Sequence, residues 1–236
     1  MESCSSEFPT VEAAVSSVSF SFTLRPVVTH DDLLLACEVR AAAYGYKIPE
    51  YRETMSRPDA IDTSPWTGIY LCEDKASGQP VGTMRVQVAT PMTAPLEIEK
   101  YVAPPPAFAK SARAEITRLA AVPGADPFVR LALWKTGYLH CKANDVRLLM
   151  IGVRKPSLIR AYERMGAKDI SDPVALPYGG NLPHRIMAVD ILAAEVFWRT
   201  SDHPMLQFMV ATAHPDIALP PSMHRQVAEK IGLGVL

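Results

Sequence analysis

A chain of 236 residues, 48% of them hydrophobic, is long enough to bury one large core or two small ones. Its net charge of −1 gives no overall attraction for nucleic acid. The charge is uneven all the same: residues 110–168 hold twelve Lys or Arg against four acids, a net +8 that leaves −9 for the rest. A basic half on a near-neutral protein suits a polyanionic small ligand or an acidic partner, or is simply a set of solvated helix faces.

In chain order, residues 1–20 are Ser-rich and read as a disordered arm, too acidic and polar for a signal peptide. FSFTLRPVV (20–28) predicts a first strand. The stretch 29–46 predicts a helix capped by Thr29 or Asp31, and a polar loop follows from Ile48 to Pro65. Residues 66–74 and 79–90 predict two strands joined by a KASG hairpin turn. Five prolines in 91–112 predict a long excursion. RAEITRLAAV (113–122) reads as a buried strand, ended by Pro123-Gly124. Asp126 and Pro127 then mark a strong helix start, and that helix should be largely buried through Asn144. A strand (146–153), a helix (155–167, closed by Gly166) and a strand (184–192) complete a domain over 21–192. The extension 193–236, apolar around Met205, Phe208, Met209 and Val227, suits a lid or a dimer contact.

This order predicts a mixed α/β sheet flanked by helices. The four cysteines are scattered and the six histidines show no HxH or HExxH spacing, so free thiols are expected and no metal site. No apolar run reaches membrane-spanning length, and a cytoplasmic location without an integral membrane segment is the expectation.

The anomaly is the strand at 113–122, which carries Glu115 and Arg118 through an otherwise aliphatic run. A charge removed from water is costly unless paired or used. Three apart, the two side chains fall on opposite faces of a regular strand, and a bulge between them would bring both to one side. A strand bulged or splayed at this point is expected, with Glu115 in use as a base or as the partner of a cation, or else forming a salt bridge with Arg85 or Arg118.

The strand and helix order, with three local motifs, resembles the GNAT (acyl-CoA N-acyltransferase) fold, and more narrowly the acyl-homoserine-lactone synthases and N-acyl amino acid synthases. Asp59 and Asp62 resemble a D-x-x-D ahead of the first long strand. GQPVGTMRV (78–86) resembles a G-x-x-x-G-x-x-R strand ending on Arg85. EITRLAAV (115–122) resembles an E-x-[ST]-R strand with Glu115 and Arg118, and Arg40 with Tyr44 resembles an arginine and aromatic on the first helix.

The resemblance implies an N-acyltransferase that moves a fatty acyl group from acyl carrier protein phosphopantetheine, or from acyl-CoA, to the amine of a small acceptor such as an amino acid. It implies no tightly bound cofactor. An autoinducer synthase using S-adenosylmethionine is the neighbouring reading, and a non-catalytic acyl or carrier-protein binding module is a third. Glu115 and Tyr162 are the implied catalytic residues, Tyr162 as proton donor to the departing thiolate. Arg40, Tyr44, Asp59, Asp62, Arg85 and Arg118 are expected to bind the acceptor and order the 47–65 loop, with Asp62 at the amine. Leu119, Ala120, Ala121 and Val122 are expected along the acyl-pantetheine arm. Lys142, Arg147, Arg154, Lys155, Arg160 and Arg164 are expected to dock an acidic carrier protein. One departure bears on the donor: AAVPGADP has one glycine and two prolines where CoA users place an N–H-rich turn for the diphosphate.

Overall fold

The computed structural model describes residues 17–218. The calls on residues 1–16 and 219–236, Val227 included, lie outside them. The chain begins with strand β1 (Phe22–Pro26) and helix α1 (His30–Gly45). Thr29 closes the helix with a capping box: its Oγ1 accepts from Asp32 N at 3.1 Å, and the Asp32 carboxylate accepts from Thr29 N at 3.3 Å. A short helix α2 (Tyr51–Met55) lies in the predicted loop, followed by the hairpin of β2 (Thr67–Asp74) and β3 (Pro80–Ala89).

The 91–112 excursion is packed rather than loose. Its Leu96 and Ile98 are fully buried against Met150 and Ile186. β4 (Arg113–Ala121) then leads into α3 (Phe128–Ala143), β5 (Leu148–Val153) and α4 (Pro156–Arg164). Two short strands missed by the sequence pattern, β6 (Lys168–Asp169) and β7 (Val174–Leu176), precede β8 (Leu182–Asp190).

The sheet order is β1-β2-β3-β4-β5-β8-β6, antiparallel except for β4 beside β5. α3 covers one face, where Gly137 is required for contact: a Cβ there would stand 2.7 Å from Ile116 Cδ1. α1 covers the other face through Leu33, Ala36 and Val39 against Ile69, Leu71 and Ala120.

Two boundaries differ from expectation. The strand predicted to run to 192 stops at Asp190, whose carboxylate accepts from Leu192 N and Ala193 N and so starts α5 (Ile191–Thr200). The division drawn at 192/193 therefore falls inside a helix. The described part of the extension then crosses α3, where the Lys135 Nζ donates to the Phe208 and Thr212 carbonyls at 2.8 and 2.6 Å. It finishes along the β1 edge, with Ala218 N donating to Leu24 O at 2.8 Å. This stretch pairs with the sheet edge away from the cleft described next, and among the described residues none after His184 lines that cleft. No helix among the described residues is long and apolar enough to cross a membrane.

Candidate active site

β4 and β5 pair only over Arg113–Glu115 opposite Leu148–Met150. Beyond that point β5 continues with β8, β4 continues with β3, and the two part company. The wedge between them is a cleft of about 750 Å³, with Glu115 at its apex and Leu119, Ala120 and Ala121 along one wall and Ile151, Gly152 and Val153 along the other.

β4 is bulged where the sequence placed its charges. The register against β3 runs Thr83↔Ala120 and then Arg85↔Thr117, so β4 spends one residue more than its partner. Arg118 carries the irregularity at φ 55, a left-handed conformation that its Cβ makes costly. The extra residue shifts the alternation. Glu115 and Arg118 both line the cleft, and Arg118 reaches back to Asp59 at 3.2 Å and to Met55 Sδ at 3.0 Å.

Behind Arg118 lies an ion network. Arg85 Nη1 donates to both oxygens of Asp59 at 2.7 and 2.8 Å and to Asp62 at 3.2 Å, and its Nε donates to Thr117 Oγ1. Arg40 Nη1 donates to Asp62 at 2.8 Å. The two aspartates also cap their own turn, since Asp59 Oδ1 accepts from Ile61 N and Asp62 N, and Asp62 Oδ2 from Asp59 N. Turn capping and ion pairing are one construction here. Burial alone would push the Asp59 carboxyl up, but the Arg85 hydrogen bonds and charge, with Arg118, hold it down at about 2.

The network divides the expected acceptor-binding set. The Asp62 side chain has no exposed surface and its oxygens are taken, so it does not stand at the amine as expected. Arg40 and Arg85 are equally buried and do not line the cleft. Tyr44 does line it, and donates to the Leu119 carbonyl at 3.1 Å. Val122 is not among the lining residues; its N–H is bonded to the Val81 carbonyl.

Glu115 is 1% exposed and forms no salt bridge with Arg85 or Arg118 among the described residues. Its Oε2 accepts from Ile98 N at 3.0 Å and its Oε1 from the Tyr178 hydroxyl at 2.8 Å. Burial pushes its carboxyl up to about 7, against the pull of those two donors. A carboxylate that titrates near neutrality at the apex of a cleft is suited to exchanging a proton with an amine. Tyr162 also lines the cleft, its ring 4.5 Å from that of Trp134 and its phenol pushed up by burial.

The expected docking cations separate by position. Lys142 pairs with Glu195 at 2.8 Å and Arg147 with Asp190 at 3.7 Å, at the end of β5 remote from the cleft. Arg154 and Lys155, by contrast, line the cleft mouth, and exposed Arg160 and Arg164 follow on α4. Two mouth cations were not singled out from sequence, Lys47 and Arg130. Nor were Tyr178 and Tyr51, which both line the cleft: Tyr178 follows Pro177 in a Gly-rich turn, and such a turn reads as a connection only. Tyr51 Oη lies where a Cβ on Gly180 would be, 2.0 Å away, so only glycine (φ 77) fits there.

At the N-terminus of α3, where a diphosphate would seek free N–H groups, Asp126 is already in place. Its Oδ1 accepts from Phe128 N at 2.8 Å and its carbonyl from Val129 N. Among the described residues no cluster of three His, Cys, Asp or Glu suits a metal ion, and Cys37, Cys72 and Cys141 are buried and unpaired.

The family model described as N-acyl amino acid synthase FeeM matches residues 36–190. No curated protein sequence matches the chain. Among solved structures, FeeM itself, an N-acyl amino acid synthase from uncultured soil microbes, superposes with TM-score 0.59 at 18% identity, covering 80% of this chain and 98% of that one. The CoA-dependent acyl-homoserine lactone synthase BjaI gives 0.56 at 15% identity over 87% of this chain and 99% of its own. A GNAT-family protein from Desulfovibrio desulfuricans gives 0.52 at 17% identity, covering 72% and 99%. These likenesses establish the GNAT fold.

Proposed function

The chain belongs to the FeeM family of N-acyl amino acid synthases and is an N-acyltransferase; from that premise we propose that it transfers a fatty acyl group from an acyl carrier protein thioester to the amine of an amino acid or related metabolite. The observation that carries this reading is the Glu115 carboxylate at the apex of the β4/β5 wedge, with the Arg118 guanidinium on the same side.

In the proposed reaction the acyl-pantetheine arm enters between the splayed strands, along Leu119, Ala120 and Ala121. The acceptor binds on the Arg118 side, where the guanidinium pairs with a carboxylate of the acceptor. The amine nitrogen attacks the thioester carbonyl. Glu115 takes the proton that nitrogen sheds, so an N–H bond breaks as a carboxyl O–H bond forms. The tetrahedral adduct then expels the thiolate, which takes a proton from Tyr162, leaving an amide and a free thiol.

Two features favour a carrier protein over CoA as donor. The α3 N-terminus holds a carboxylate, and the flanking Pro123 and Pro127 supply no N–H. The mouth instead offers exposed Lys47, Arg130, Arg154 and Lys155, for which no salt bridge is found among the described residues, suited to a phosphopantetheine phosphate and an acidic carrier surface.

The test is to incubate the purified full chain with matched acyl carrier protein or acyl-CoA and a panel of amines, with and without S-adenosylmethionine, and to identify products by mass spectrometry. Acylated amino acids formed from the carrier without S-adenosylmethionine are expected. Lactone products that need S-adenosylmethionine would replace this reading with that of an autoinducer synthase. Tight acyl binding with no turnover on any amine would make the chain a binding module.

A further inference from the structure

The Glu115 carboxylate is held by two neutral donors from segments distant in sequence. Ile98 N comes from the 91–112 excursion and the Tyr178 hydroxyl from the turn Pro177–Gly179 ahead of β8. Arg85, whose charge favours the ionised Glu115, is itself bonded to Asp59, Asp62 and Thr117 and paired with Glu97. A buried carboxylate without a contacting cation depends on its hydrogen-bond donors to carry charge at all. Each Glu115 oxygen accepts one of these bonds and keeps a further lone pair for an incoming amine.

Tyr178 is itself tightly placed. Its ring lies 6.4 Å from that of Tyr101, and its hydroxyl stands 3.9 Å from where a Cβ on Gly152 would be, on the β5 wall of the wedge. The turn that carries it closes on Gly180, seated against Tyr51. The hydroxyl therefore lies in the gap between the strands.

We propose that Tyr178 is a positioning residue for Glu115: its phenol donates to Oε1, aims the carboxylate into the gap and favours the ionised form that accepts the amine proton. This rests on the reading of Glu115 as the base. The other charged or titratable groups around the carboxylate are Glu97 from the excursion, which opposes ionisation, Arg85 from β3, which favours it, and Tyr101 beside Tyr178. Arg118, Tyr51 and His184 share the cleft.

Tyr178→Phe removes the hydroxyl and little else. Carbon-13 NMR titration of the glutamate carboxyls in the full chain, with Glu115 assigned by its absence in Glu115→Gln, is expected to show the Glu115 midpoint raised by about one to two pH units. The acid limb of kcat/KM moves up equally, so activity at pH 7 falls about tenfold and recovers towards pH 9, with the donor KM unchanged. Replacing Tyr178 by 3-fluorotyrosine, a stronger donor, shifts both in the opposite direction and serves if the Phe variant folds poorly. A Glu115 midpoint that stays in place in both variants overturns the proposal while the base reading stands. An acid limb and rate preserved in Glu115→Gln would remove the base reading, and the proposal with it.

Discussion

Glu115 and Arg118 stand three residues apart on β4 yet face one cleft, because Arg118 takes the bulge at φ 55 and shifts the alternation of the strand. The strain of that conformation is worth about 1–2 kcal/mol for a side chain with a Cβ. It persists because Asp59 and Met55 hold the Arg118 side chain.

Arg118→Gly relieves the strain and Arg118→Ala does not, while both lose the ion pair. The glycine variant is expected to be more stable than the alanine variant by about 1 kcal/mol in urea denaturation. Both should raise the acceptor KM at least tenfold. An alanine variant with normal acceptor kinetics would remove Arg118 from substrate binding.

Glu115 makes stability depend on pH in a definite direction. Its carboxyl ordinarily titrates near 4.5 and in the fold near 7, so between those values the folded chain keeps a proton that the unfolded chain has lost. Stability therefore falls as pH rises through this window, reaching a cost on the order of 3 kcal/mol above pH 7. Glu115→Gln should abolish activity yet be more stable than the parent at pH 8, with the advantage fading towards pH 4.5. Urea midpoints measured across that range check it.

The two aspartates of the turn should separate stability from function. Asp62→Asn strands the buried Arg40 guanidinium and is expected to cost about 3–5 kcal/mol. Asp59 is partly exposed, and Asp59→Asn should cost about 1–2 kcal/mol while loosening Arg118, so the loss appears chiefly in acceptor KM. Denaturation and steady-state kinetics on the same preparations distinguish the two.

Reversing the mouth charges with Arg154→Glu and Lys155→Glu is expected to raise the KM for acyl carrier protein at least tenfold and to flatten its salt dependence. The rate with a short acyl-pantetheine thioester should hardly change. Equal losses with both donors would place these cations at the reacting thioester rather than at a docking surface.

What could be read from the chain alone was what local chemistry dictates. The strand and helix order, the Thr29 cap and the hairpin turn follow from side-chain periodicity and turn residues that act over a few positions. So did the suspicion attached to Glu115 and Arg118, since charges in an aliphatic strand are anomalous wherever the strand lies. The same conflict between spacing and alternation points to a strand bulged or splayed there, and the bulge is what the β3/β4 register contains.

Which charges reach the cleft was settled only by the tertiary structure. Asp59 and Asp62 read alike in sequence, yet burial leaves Asp59 partly open and encloses Asp62 between Arg40 and Arg85. The basic run over 110–168 likewise divides, because β5 carries Arg147 to one end of the sheet and Arg154 to the other. Tyr178 and Ile98 N meet Glu115 from 63 and 17 residues away. A hydrogen bond acts over about 3 Å of space whatever the separation along the chain, so the partners of the buried carboxylate exist only once the strands have parted and the loops have packed into the gap.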